Sequence, residues 1–413
     1  MKGSTTGRLL ALSVPSIVIG VVSALLLFLI DRLAALAETA IWHSLPSALR
    51  INADSPLWIV GVLTLTGFAV GLSIWLLPGH AGRDSATTEL IAAPIAASAT
   101  PGLALAAVFG LAGGVSLGPE NPVIAVNTAL LVTLLGRFWS AMPTEIVVMV
   151  TAAATIGALF GTPVAAALLF TGVVGASSAG GALWDRLFLP LLAAGAGAVT
   201  MSLLATPTFA FEMPEYSAAS LADLLSASVI ASVAAALGVA TCLVFRPVHS
   251  LFHRLRHPVL YVTGGGLVLG LLGALGGPVT LFKGVTQLGD LVTHRGDYAL
   301  AAIVLIIAVK TVALVVAASS GFRGGRIFPA VFIGGAIGIL ANAVVPAVPL
   351  VVAVAAGVLG MVIAIARDGW IALFIAVAVT GSVAVLPVLC IAILPAWLIV
   401  SRAPEMIVSE QSP

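Results

Sequence analysis

The sequence predicts an all-α polytopic membrane protein, and three observations carry the assignment. Of 413 residues, 61% are apolar and only 8% are charged, where an ordinary soluble domain carries about 25% charged residues. The mean hydropathy is +1.21. Apolar stretches succeed one another along the whole chain, interrupted by glycine (43) and proline (23). A water-soluble globule of this size lacks the polar side chains to cover such a core. That excludes an ordinary cytoplasmic enzyme, a disordered chain and a nucleic-acid-binding chain, and leaves the lipid bilayer as the solvent. The net charge of +1 points to no electrostatic partner. Cys242 and Cys390 both lie in apolar runs, so no disulfide framework is indicated. No cofactor is implied.

At the amino terminus, Lys2 and Arg8 precede an apolar run over 9–30. A signal peptide begins similarly, and Ala35-Leu36-Ala37 resembles a cleavage site. The run is longer than the roughly 7–15 residues of a signal h-region. It therefore reads as a retained first helix whose basic flank keeps the terminus in the cytoplasm. Further apolar stretches cover 57–77, 103–117, 122–135, 146–174, 187–204, 224–245 and 259–275, then 299–319, 327–345, 348–366, 370–385 and 386–400. Several fall short of the roughly 20 residues a full span needs. Short pieces parted by Gly and Pro predict half-helices that meet inside the membrane; a single Pro-kinked helix is the alternative. The densest basic segment, 246–257, holds Arg246, Arg254 and Arg256 and is expected to be a cytoplasmic loop. Its His249, His253 and His257 share one helical face, but no acidic or cysteine ligand accompanies them in sequence.

An internal repeat marks the candidate site. Gly118-Pro119-Glu120-Asn121-Pro122 and Gly325-Arg326-Ile327-Phe328-Pro329 are both G-x-x-x-P, each followed by an apolar helix. Gly161-Thr162-Pro163 corresponds to Asp368-Gly369 at nearly the same offset. Two related halves with paired interrupted helices are the mark of many transporters and channels, whose site lies near the midplane where the breaks meet. Proline suits a first helical turn, where its missing N–H has no partner to lose. The two helix starts therefore expose free amides and the positive end of the macrodipole, a cradle for a small anion. A site without a full positive charge holds chloride weakly enough to release it. Glu120 sits inside the first break. Carboxylates at membrane depth are functional by default, so it reads as a gate or proton carrier; the plainer alternative is a helix cap. Lys310, in an apolar helix before the second break, reads as a structural charge.

The segment 118–122 resembles the G-K/R-E-G-P motif of the CLC chloride channels and transporters, and 325–329 their G-x-F-x-P motif. Phe160-Gly161-Thr162-Pro163 is similar to their F-N-A-P stretch, and 367–380 to the stretch ending in E-M-T. Segments 184–190 and 319–329 look closer to a bacterial branch, the YfeO-like ion-transport proteins. The resemblance runs from about Leu10 to Met406. It implies two inverted halves (approximately 8–245 and 258–406) in one transmembrane domain of about eighteen helices. It also implies a homodimer with one anion pathway per subunit and a gating glutamate, here Glu120. The anion-binding residues it implies are Gly118, Asn121, Gly325, Arg326, Ile327 and Phe328.

Departures from the family pattern are specific. Pro119 replaces the basic residue before the gate, Asn121 replaces glycine, and Ile327 stands for phenylalanine. The first anion loop, G-S-G-x-P, corresponds loosely to Gly79-His80-Ala81-Gly82, which puts His80 at the serine place. The inner tyrosine aligns near Met406. The antiporters' internal proton-transfer glutamate falls near Val173 with no carboxylate close in sequence, and Ala378 holds the acidic place before Thr380. This predicts channel-like or weakly coupled flux. No nucleotide-binding CBS pair is expected after Ser401.

The expected function is transport of a small inorganic anion, chloride foremost, across a bacterial plasma membrane, with both termini cytoplasmic. A cation- or proton-coupled transporter using Glu120 as an ion ligand is the alternative; it calls for two or more buried acids together. An intramembrane enzyme would need a nucleophile–base pair on facing helices, and none is apparent.

Overall fold

A computed structural model describes residues 5–138, 142–175, 182–205 and 210–408. Lys2 lies outside the described residues. Sixteen α-helices occur among them, close to the eighteen expected. The first eight are α1 (Thr5–Thr39), α2 (Leu45–Leu49), α3 (Pro56–Leu76), α4 (Thr100–Ala112), α5 (Glu120–Phe138), α6 (Thr144–Phe160), α7 (Pro163–Gly175) and α8 (Leu183–Leu204). The second eight are α9 (Leu221–His253), α10 (Pro258–Gly276), α11 (Val285–Thr293), α12 (Leu300–Ser319), α13 (Ile327–Val344), α14 (Leu350–Ala366), α15 (Gly369–Thr380) and α16 (Leu386–Val400). Eight helices among the described residues are long and apolar enough to cross a bilayer. Leu57 and Leu203 are 88% and 81% exposed on helix surfaces, a liability in water and a natural face toward lipid.

The element order repeats. In the first half α1 packs on α6 and α8; in the second α9 packs on α14 and α16. α6 and α14 are both 17 residues long, and each ends in a left-handed residue, Gly161 and Arg367. The short helices that follow, α7 and α15, have 13 and 12 residues and pack on each other. The most extensive helix pair, α3 with α10, joins the halves. Its closeness comes from glycine: a methyl on Gly67 would strike the Val262 carbonyl, and one on Gly266 the Leu63 carbonyl. In a bilayer, where lipid tails are as apolar as leucine, such backbone approach is the main source of helix association.

Local chemistry sets the helix starts. Ser55 caps α3 by accepting from the Trp58 N–H, with Pro56 in its first turn. Ser220 and Asp223 form a reciprocal capping box on α9, and the Tyr216 hydroxyl donates to Asp223. The basic segment at 246–257 departs from the loop expected: α9 continues through Pro247 to His253, and the turn comes only at 254–257. Of the three exposed arginines, Arg246 lies on the helix, and Arg254 and Arg256 lie in the turn.

Lys310 is fully buried in α12, and its role is structural. Its ammonium donates to the Thr280, Leu281 and Phe282 carbonyls at 2.9, 2.9 and 2.6 Å. It also lies 5.1 Å from the Phe332 ring centroid. It fixes the turn between α10 and α11, which carries Lys283. We expect Lys310→Met to orphan three buried carbonyls and cost about 3 kcal/mol. Thermal unfolding in detergent should show a clearly lowered midpoint; an unchanged midpoint would mean that the turn needs no anchor.

Candidate anion site at two meeting helix starts

The two G-x-x-x-P breaks meet. Gly118 donates to the Gly325 carbonyl at 2.8 Å, and Gly325 donates back to Gly118 at 2.7 Å. This two-way bridge is an isolated antiparallel pairing in a helical protein. Just beyond it, α5 begins at Glu120 and α13 at Ile327, so each proline (Pro122, Pro329) is the third residue of its helix. The first turn has no intrahelical acceptor for its amides, so neither proline removes a bond.

Glu120 folds back over this bridge. It is 2% exposed. Its Oε1 accepts the Ile327 N–H at 2.9 Å, and the Phe328 and Glu120 amides also face the carboxylate. Oε2 is buried without a hydrogen-bond partner. The glycines make room for it: a methyl on Gly325 would overlap the Glu120 carboxyl, and one on Gly118 would meet Oε2 and the Phe328 ring. Phe328 stacks on Phe160 at 6.3 Å between centroids, and Phe160 in turn meets Phe374 edge-on. The 160–163 break therefore packs directly behind the site.

Gly118, Glu120, Gly325, Ile327 and Phe328 thus come together. Asn121 and Ile327 line an adjoining cavity of about 390 Å³. Arg326 lines it too; one guanidinium nitrogen donates to the Thr88 carbonyl at 2.9 Å, while Nη1 is buried with no partner. Val173 and Met406 share this cavity with Asp368 and Glu405. The expectation of no carboxylate near Val173 is therefore corrected: chain segments remote in sequence bring two. A second cavity, of about 280 Å³, is lined by Asp31, Glu38, Lys283 and Gln287. The Lys283 ammonium lies 5.7 Å from the Phe328 ring centroid, a cation beside the site that no sequence motif marks.

His80 is not brought to the site. It is exposed, in a left-handed conformation (φ 53°), and its Nδ1 donates to the Ile74 carbonyl at 3.0 Å. The first loop reaches the second break through Ser85 instead, whose buried hydroxyl accepts the Gly324 N–H at 2.9 Å. The serine of the loop lies five positions beyond the place assigned by the loose motif. Residues 79–82 all have positive φ and form one tight turn, which shifts the register. Arg323 locks the loop down, donating to the Ala81, His80 and Gly82 carbonyls at 3.0, 3.3 and 3.2 Å. It also pairs with Asp84 at 3.4 Å. Burial raises the Asp84 pKa, but the His249 and His253 contacts and the Arg323 charge outweigh it, and the carboxyl stays well below its usual range.

The Voltage gated chloride channel family model matches residues 85–401. The chain belongs to this family. It is 46% identical over 405 residues to the "Putative ion-transport protein YfeO" of Escherichia coli (strain K12 / DH10B), covering 97% of this chain and 96% of that protein. The same protein of Escherichia coli O9:H4 (strain HS) is 46% identical over 411 residues, 98% and 97% of the two chains. Among solved structures, a slow cyanobacterial Cl⁻/H⁺ antiporter aligns with TM-score 0.78 at 17% identity, covering 94% and 93% of the two chains. A CLC-type fluoride/proton antiporter aligns with TM-score 0.71 at 19% identity, covering 98% of each. The fold is that of the CLC transporters, and this chain is an integral membrane protein of a transport family.

Arg323→Gln removes the charge and most donors from the loop clamp. We expect hydrogen–deuterium exchange over 80–88 to rise at least tenfold, with stability falling by about 3 kcal/mol. Unchanged exchange there would show that Ser85 alone holds the loop.

Proposed function

We propose that this protein moves chloride or a similar small monovalent anion across a bacterial plasma membrane, by a pathway within each subunit that Glu120 gates. One observation carries the reading: the Glu120 carboxylate accepts the Ile327 amide at a helix start, where a free anion of the same charge would bind. The carboxylate is then a tethered competitor for its own pathway. The amides it occupies belong to Ile327, which lines the 390 Å³ cavity, and to Phe328, whose ring centroid lies 5.7 Å from Lys283 of the other. On this reading, its departure would connect the two.

The surrounding charge favours an anion. Arg326 is buried and donates to the Thr88 carbonyl, and among the described residues no carboxylate forms an ion pair with it. A cation-coupled transporter wants grouped buried acids. Among the described residues the buried acids are Glu120 and Asp223, and Asp223 is occupied as a helix cap. The antiporters of similar fold, named for chloride and fluoride, support the same substrate class. Proton coupling is favoured by one feature, the placement of Asp368 and Glu405 in the cavity beside Ile327. Asp368 is engaged by the Ile371 N–H, and Glu405 is exposed, so Glu405 is the freer proton acceptor.

We place the protein as a homodimer with its carboxyl-terminal segment and the 246–257 segment in the cytoplasm. Arg246 donates to the Ile407 carbonyl, so these two lie at one end, and the arginines there follow the positive-inside rule.

The test is reconstitution in liposomes with chloride and proton flux measured together, for wild type, Glu120→Gln and Glu120→Ala, from about pH 4.5 to 8. Both variants should pass more anion or lose the pH dependence of flux. Assembly should persist, because a helix-cap contact is worth only about 1 kcal/mol. Identical flux and pH profile in all three proteins would reduce Glu120 to a cap. Cation flux without anion flux would overturn the substrate assignment. If protons move with the anion, Glu405→Gln should lower the proton flux severalfold.

A further inference from the structure

Away from the pathway, the turn holding Ser85 is linked to the end of α9 by Asp84, which lies 165 or more residues from His249 and His253 in sequence. Asp84 Oδ2 lies 3.4 Å from His249 Nε2 and 3.4 Å from His253 Nε2. One ligand atom from each of the three lies within 4.8 Å of the others. We propose that Asp84, His249 and His253 form a binding site for a divalent transition metal of the zinc type, tying α9 to the loop that carries Ser85.

The geometry of each ligand is prepared. His253 Nδ1 lies 2.9 Å from the His249 carbonyl. A carbonyl can only accept, so Nδ1 carries the hydrogen. The Nε2 lone pair of the neutral ring then faces the carboxylate. Fixing a histidine through its second nitrogen is how metal-bound imidazoles are held. Its ring is sandwiched, 3.8 Å from His249 and 4.6 Å from Tyr261 between centroids. Asp84 is prepared as well. Its Oδ1 accepts the Ala86 N–H at 3.1 Å and pairs with Arg323, which leaves Oδ2 for the histidines.

Two of the three separations fit a metal, and the third lies within 4.8 Å. Ligand bonds of about 2.0–2.1 Å at tetrahedral angles put neighbouring ligand atoms about 3.3–3.4 Å apart. The two Asp84–histidine separations have that length. In the neutral form, a lone pair and a carboxylate oxygen would meet there with nothing between. A cation bound there would be held by both lone pairs and the carboxylate together. Two imidazoles and one carboxylate suit zinc, and related borderline metals, rather than magnesium or calcium. Three protein ligands leave the fourth position for water. The side chains are 15% to 30% exposed, so an ion has a way in.

Sequence alone grouped His249, His253 and His257 on one helical face and offered no acidic ligand to complete a site. The helix ends at His253, and His257 turns away to meet Trp75 edge-on at 5.2 Å between centroids. Asp84 supplies the acidic ligand that the segment itself lacks.

The experiment uses the full-length protein without a polyhistidine tag, stripped with chelator and titrated with zinc chloride by calorimetry, with thermal unfolding alongside. We expect one zinc per chain and a raised unfolding midpoint. Asp84→Asn and His253→Gln should each weaken binding about tenfold or more and lose the zinc-dependent shift, while His257→Gln keeps both. Absence of zinc binding in the wild type, or equal binding in the Asp84 and His253 variants, would overturn the site. If Asp84→Asn fails to fold, His249→Gln, which leaves the Arg323 clamp in place, decides the matter by the same readouts.

Discussion

The structure depends on one pair of backbone hydrogen bonds, Gly118 with Gly325, made where two broken helices turn toward each other. The pair fixes the distance between α5 and α13 at their first residues, which is where unpaired amides must lie. It also explains why both positions are glycine. The Glu120 side chain is folded into the space their β-carbons would fill. The Phe160–Phe328 stack, the Ser85–Gly324 bond and the Arg323 clamp each hold a neighbouring segment against this pair. If the bridge lengthened, each of them would lose its register.

Charge is handled in a consistent way around that centre. A buried cation usually meets a carboxylate, and the two fields cancel beyond a short distance. Here Lys310 meets three carbonyls, and Arg326 one. Arg367 donates to the Val400 and Ala403 carbonyls. Carbonyl dipoles stabilise a cation locally while leaving its net charge. Arg323 alone of these shares a carboxylate, and it is the one whose task is to hold a loop. The buried cations thus stand off the amides themselves, where a tightly held ion would stop moving.

Much of this was legible in the sequence, for identifiable reasons. The repeat of G-x-x-x-P located both helix starts and Glu120, because glycine and proline are demanded by backbone geometry at those places and leave a mark in single residues. The first helix and the short spans followed from apolar run length. The first loop was misread because its geometry is a run of positive φ at 79–82 followed by short 3₁₀ turns. Such a segment has no periodicity to fix register, and His80 looked like the chemical residue while Ser85 makes the contact. Asp368 and Glu405 in the cavity beside Val173, and Asp84 beside His249, are meetings of distant segments. No local pattern encodes them; only the packing of the two halves does.

The hold on Glu120 has one further physical consequence. Its Oε1 accepts the Ile327 amide, and the Phe328 and Glu120 amides also face the carboxylate. Backbone amides at a helix start stabilise any small anion placed there, so the carboxylate is held by contacts that a free anion can take over. On the proposed reading, an anion arriving from the cavity that Arg326 and Asn121 line competes with this tethered group for the same amides. Pro119 bears on this directly: where the family has a basic residue with an amide, this chain has neither the charge nor the N–H, which leaves the amides of the two helix starts as the donors.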